Sequence, residues 1–221
     1  MSFEDGGPMM ATAVHTFLDF PLKNRDFQHD REQPRNNRMT YQEALELMHE
    51  YTQSDALRKH MYAVETAMRA YAKKYGEDEE KWAVVGVLHD FDYEKYPNPP
   101  DHPGKGSEIL AQKGYPDDVR RAILGHADYM NVPRDTKLAQ ALYACDELCG
   151  FITAVSVIRP NKIADLEVSS VKKKLKDKGF ARNVNREDIQ RGVQELGVPL
   201  EEHIQFCIDA MRTDAARLGL V

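Results

Sequence analysis

From residue 40 onward, apolar positions recur at spacings of three and four, and stretches of Gly and Pro interrupt the recurrence. In "TYQEALELMHEYT", Thr40 precedes Glu43 in capping-box order and Ala44, Leu45, Leu47 and Met48 follow at helical spacing, so ordered structure is expected to begin there. A second helix is expected over 55–75, where Leu57, Met61, Val64, Met68 and Tyr71 share a face and Gly76 supplies a stop. A third, over 78–89, contains "WAVVGVL", which is apolar on nearly all sides and marks a central, buried helix. Pro97, Pro99, Pro100 and Pro103 then forbid regular helix and define a loop of about a dozen residues, long enough to line a functional site. Further helices are expected over 105–113, 116–127, 134–158, 185–196 and 199–217, with "GYP" and "VPRD" as breaks or starts. No run alternates as a strand would, and no internal repeat is evident. The expected fold class is all-α.

The pattern fails before residue 39. Residues 1–38 are polar and charged apart from "AVHTFLDF" and read as a mobile tail, in which His15 and His29 have no element to aim them at a site. The expected organisation is this tail, a helical core over 39–158, and a C-terminal helical extension over 159–221 with a basic segment at 171–183. A chain of 221 residues suffices for one substantial core plus such a tail. Thirty basic against 36 acidic side chains give a net charge of −6, which argues against nonspecific binding to nucleic acid. Cys145, Cys149 and Cys207 cannot pair completely and lack CxxC spacing, so reduced thiols in the cytoplasm are expected. No apolar run approaches the ~20 residues that span a bilayer, and no signal-peptide order is seen at the N-terminus.

The candidate chemistry lies along successive helices: His60, then His89-Asp90, His102, His126 in "GHAD", and Asp146 in "ACDEL". Imidazole nitrogens and carboxylate oxygens make a coordination sphere suited to manganese, iron, magnesium or zinc, with no need for cysteine. Adjacent helical residues point about 100° apart, so His89 and Asp90 share an ion most easily where the helix ends, and the proline loop starts within a few residues. Each residue alone reads as a hydrogen-bonded packing histidine or a capping aspartate. Their ordered combination favours a metal site.

These residues, in the run "LHDFDYEKYP…HPGKGSEIL…AILGHAD…ACDELCGF", resemble the HD superfamily of metal-dependent phosphohydrolases over residues 40–158, and more closely a bacterial subgroup of predicted HD hydrolases. The resemblance implies an HD-domain helical bundle in which His60, His89, Asp90 and Asp146 bind a first divalent ion. Asp90 would bridge to a second, for which His102 and His126 match the extra histidines of the two-metal branch. The short, proline-filled interval from His89 to His102 leaves a one-metal site open, with His102 and His126 acting on substrate. The implied reaction is attack of a metal-activated water on a small phosphate ester or nucleotide. Asp90 would orient the water, and His102 or His126, where not fully committed to metal, would protonate the leaving oxygen.

An anionic substrate needs cations. The basic "VKKKLKDKGFARN" offers Lys172 and Lys173, and also Arg182 and Asn183, which follow a glycine able to bring backbone N–H groups near a phosphate; a solvated lysine face is an equal reading of the charge alone. Lys105, in the loop after His102, is the other expected substrate ligand, ahead of Arg159 and Lys162. Tyr93 and Tyr96 read as packed rings with wet hydroxyls, and Glu147 as either a carboxylate orienting a ligand histidine or a surface ion pair. Cys145 and Cys149 read as packing residues, and His49 and His203 are left out of the site. Two other functions share the resemblance: a di-iron HD-fold oxygenase, which the six-ligand set would also serve, and a silent nucleotide-binding module, whose sign would be a missing ligand. None is missing. The basic cluster lacks interleaved aromatics, so a nucleic-acid substrate is not expected.

Overall fold

The computed structural model describes residues 40–221; the expectations for 1–38, with His15 and His29, lie outside the described residues. Within them are ten α-helices and no strand: α1 (Tyr41–Tyr51), α2 (Asp55–Tyr75), α3 (Glu79–Leu88), α4 (Asp101–Gln112), α5 (Asp117–Gly125), α6 (Lys137–Val157), α7 (Val168–Lys176), α8 (Arg186–Leu196), α9 (Leu200–Thr213) and α10 (Ala215–Leu218), with a single 3-10 turn at Asp128–Met130. The first boundaries follow from local chemistry. Thr40 and Glu43 close a reciprocal capping box on α1, Ser54 and Asp78 cap α2 and α3, and Gly76 ends α2 in the left-handed region (φ 72) that favours glycine.

Three departures from the sequence-based expectations have physical causes. The helix expected over 105–113 begins at Asp101 but is broken inside, because Pro103 pushes His102 into extended backbone (φ −84, ψ 135). The lysine-rich stretch, read either as a solvated helix face or connection or as a phosphate ligand and given no bounds as an element, forms α7, whose buried residue is Val171. The helix expected over 199–217 is divided at Asp214 (φ −124, ψ 20) into α9 and α10.

The core centres on α2, α3 and α6. Trp82 to Leu88 are all buried, so α3 is enclosed on every side, as its unbroken apolar run requires. It approaches α2 so closely that a Cβ at Gly86 would lie 2.6 Å from the Glu65 Cα. Likewise a Cβ at Gly192 on α8 would lie 2.7 Å from the Ala144 Cα on α6. Buried Glu65 accepts from Arg69, from Arg217 on α10 (2.5 Å) and from the Tyr41 hydroxyl (3.1 Å), which ties α1 and α10 to α2 and compensates the buried charge. Helix α8 packs directly on α6, and α9 on α2 and α6. By length and composition α6 does meet the requirements of a membrane-crossing helix, unlike the expectation that no run would, but most of its apolar window is buried against the other helices.

Candidate metal centre

Two of the histidines are placed by the same local device. The last carbonyls of an α-helix have no intrahelical donor, and both His89 and His126 stand at the C-cap and use one. His89 Nδ1–H donates to the Gly86 carbonyl at the end of α3 (2.8 Å), and His126 Nδ1–H to the Ile123 carbonyl at the end of α5 (2.5 Å). His102 is oriented differently: its extended backbone before Pro103 turns the ring inward, and Nδ1–H donates to Asp92 (2.8 Å). The other Asp92 oxygen accepts the Gly106 N–H (2.7 Å), and a Cβ at Gly106 would press on that carboxylate at 2.7 Å. Such outer partners fix the tautomer that leaves Nε2 free as a ligand. His60 comes from α2 and Asp146 from α6.

The free ligand atoms converge in two groups. In the first, His60 Nε2 lies 3.2 Å from His89 Nε2 and 3.0 Å from Asp146 Oδ1, and His89 Nε2 lies 3.4 Å from the same oxygen. In the second, His102 Nε2 and His126 Nε2 each lie 3.3 Å from Asp90 Oδ1. Asp90 belongs to both, because its Oδ2 faces His60 (3.8 Å) and His89 (3.6 Å). Ligands held at roughly 2.1 Å from one ion, at octahedral to tetrahedral angles, sit about 3.0–3.4 Å apart; the distances among His60, His89 and Asp146 and from Asp90 Oδ1 to His102 and His126 have this spacing, and Asp90 Oδ2 stands wider of the first group at 3.6–3.8 Å. With Nδ1–H committed at His89, His102 and His126, the Nε2 lone pairs of these three neutral rings face carboxylate oxygens, an arrangement that calls for cations. The residues fit divalent metal.

In the metal-free protein, protons take the place of that charge. Burial opposes the charged forms of His89, His102 and His126, but Asp90 beside all three, with Asp146 for His89 and His126 and Asp92 for His102, outweighs it; all three pKa values are raised, that of His102 to about 9. Burial likewise opposes ionisation of Asp90 and Asp146, and the surrounding histidines reverse it, so both carboxyls stay below the usual carboxylate range. Glu147, next to Asp146, is relieved only in part by the Asn185 N–H and by His60: burial and the Asp146 charge push it up to about 7.

The ligands open on a cavity of about 630 Å³ lined also by Tyr93, Asp128, Tyr129, Glu147, Asn183, Asn185, Asp188 and Arg191. All six expected metal ligands are brought together here. Of the expected substrate ligands, Asn183 is on the wall. Lys105 instead pairs with Glu108 on its own helix and Lys172 with Glu201 on α9, and neither they nor Lys173 and Arg182 line the cavity. Tyr93 packs edge-on against the His102 ring, whereas Tyr96 is not on the wall. Sequence reasoning missed Asp92, Tyr129, Asp188 and Arg191. Asp92 had a signal in the alternation of "HDFDY", and the other three had none.

A further buried cluster, Cys145, His203 and Cys207, shares metal-like spacing. His203 is already satisfied, donating from Nε2 to the Ala144 carbonyl (2.9 Å) and accepting the Tyr71 hydroxyl at Nδ1 (2.6 Å). Burial raises both thiols well above their ordinary pKa, so the cluster is core packing.

Comparison with curated proteins and with solved structures finds no match. A family model, that of the HD domain, matches residues 57–150. That span includes His60, His89, Asp90, His102, His126 and Asp146 and the helices that carry them, so over these residues the chain is similar to the HD domain, and the side chains that could hold divalent metal all fall within the likeness.

Proposed function

We propose that the protein hydrolyses a small phosphate ester at a pair of divalent ions. The observation that carries this reading is Asp90, which turns one oxygen to each ligand group. His60, His89 and Asp146 would hold one ion, His102 and His126 the other, and Asp90 both. Divalent ions bound there supply Lewis acidity, making a water more acidic and offsetting charge on phosphoryl oxygens. The chain's own residues supply the rest. The Gly86 and Ile123 carbonyls and Asp92 keep three rings from rotating; the wholly buried His89 closes the inner side to solvent; and the open side receives the ester. Because His102 and His126 both direct Nε2 at Asp90, protonation of the leaving oxygen passes from them to another group on the wall or to solvent.

The test is metal analysis of the purified protein together with an anaerobic screen of phosphate esters with manganese, magnesium, iron and zinc. Phosphate release without oxygen is expected, and a protein that binds no divalent ion and releases no phosphate would defeat the reading. Four imidazoles also suit iron, which favours one second reading, a di-iron oxygenase; oxygen consumption by the iron-loaded protein, with no anaerobic turnover, would support it.

A further inference from the structure

Beside the metal ligands, the cavity is lined by Glu147 on α6, residues 183–185, and Asp188 and Arg191 on α8, and the last two groups lie outside the matched HD domain. This wall is preorganised. The Arg186 guanidinium donates to the carbonyls of Ala181 (2.9 Å), Val184 (2.8 Å), Asp177 (3.3 Å) and Phe180 and lies 5.2 Å from the centre of the Phe151 ring. Glu147 Oε2 accepts the Asn185 N–H (3.1 Å) and fastens the segment to α6.

Its charge is opposite to what an anion-binding wall needs. Arg191 is the one Lys or Arg among the lining residues, and it is paired with Asp128 and lies 3.7 Å from Asp188. Among the described residues no Lys or Arg forms an ion pair with Glu147, which lines the cavity and accepts the Asn185 N–H at Oε2. Acceptors therefore predominate here, and an added anionic group would meet carboxylates with no cation to compensate it. Donors on the ligand would satisfy them.

Resting on the phosphohydrolase reading, we propose that the substrate is a phosphomonoester whose phosphate is its only anionic group and whose alcohol part carries hydrogen-bond donors, hydroxyl or ammonium, received by Glu147 and Asp188. Nucleoside polyphosphates and phosphorylated acids are rejected by the same wall. A cavity of about 630 Å³ suits small molecules of this class.

The test compares n-propyl phosphate, glycerol 3-phosphate, ethanolamine phosphate, 3-phosphoglycerate and ATP on the manganese-loaded full-length chain, by kcat/KM and by calorimetric affinity. Glycerol 3-phosphate or ethanolamine phosphate is expected to exceed propyl phosphate by about tenfold or more, and 3-phosphoglycerate to fall below it; the better of the first two identifies hydroxyl or ammonium. Glu147→Gln, which keeps an acceptor for the Asn185 N–H, should narrow the gap between glycerol 3-phosphate and 3-phosphoglycerate. Equal or better use of 3-phosphoglycerate or ATP would overturn the proposal, as would a flat order of affinities. If no ester is cleaved but the affinity order holds, the hydrolytic reading fails and the recognition stands.

Discussion

Asp90 offers each ligand group a different oxygen, so its removal should be felt by both. Asp90→Ala is expected to lose nearly all bound metal, whereas His102→Ala should lose one equivalent and keep the other, because His60, His89 and Asp146 remain intact. Metal content by mass spectrometry after desalting reads this directly; unchanged stoichiometry in His102→Ala would mean a single-ion site. Protons compete for the same atoms. The His102 pKa is raised to about 9 and those of His89 and His126 are raised as well, so metal uptake at pH 7 should release protons and apparent affinity should climb as pH rises toward 9. For the metal-free fold the sign is opposite: the stability His102 contributes is fully present below about pH 6.5 and is lost as pH rises through about 9. Calorimetric metal titrations in two buffers of different ionisation enthalpy give the proton count, and a count of zero would contradict these shifts.

At the scale of elements, two close helix crossings set the site's dimensions. The Cβ introduced by Gly86→Ala would collide with α2 backbone at Glu65, and that of Gly192→Ala with α6 backbone at Ala144. Backbone cannot swing aside as a side-chain tip can, so each substitution should cost about 1–3 kcal/mol or more in urea unfolding. Gly86→Ala should also weaken metal binding, because the Gly86 carbonyl orients His89. An alanine at position 86 with wild-type stability and affinity would show that α2 and α3 can part without consequence. Caps and periodicity made most helix boundaries legible, as at Thr40, Ser54, Asp78 and Gly76. The break at His102–Pro103 was legible too, since Pro103 forbids regular helix; what was not legible was the short helical start at Asp101 ahead of it, and the bounds of α7, where lysines surround a single buried valine.

For the molecule as a whole, the buried His203 links the C-terminal helices to acid stability. It is held neutral by burial, with its pKa lowered to about 4, so the unfolded chain binds a proton that the folded one refuses between about pH 6.5 and 4. Stability should therefore fall as pH drops through that window, by up to about 3 kcal/mol from this residue. Glu147 acts in the opposite direction over part of the same range, because its raised pKa makes the metal-free fold take up a proton as pH falls. The His203 effect is best read in the Glu147→Gln protein, by urea midpoints at pH 6.5 and 4.5. A midpoint that does not fall would show that His203 charges without unfolding.

The metal ligands were within reach of sequence because coordination chemistry restricts them to a few residue types, and because helix ends and prolines mark where such residues can turn inward. His60, His89, Asp90, His102, His126 and Asp146 needed only their order along apolar helices to be suspected together. Tertiary structure decided what order cannot: that Asp90 is shared between two groups, that Asp92 rather than a carbonyl holds His102, and that the basic segment spends Lys172 on Glu201 rather than on the cavity. Charge counts along a chain do not say which charges already have partners. Pairing is a property of packed helices, and here it turned an expected cationic wall into one of carboxylates around a single engaged arginine.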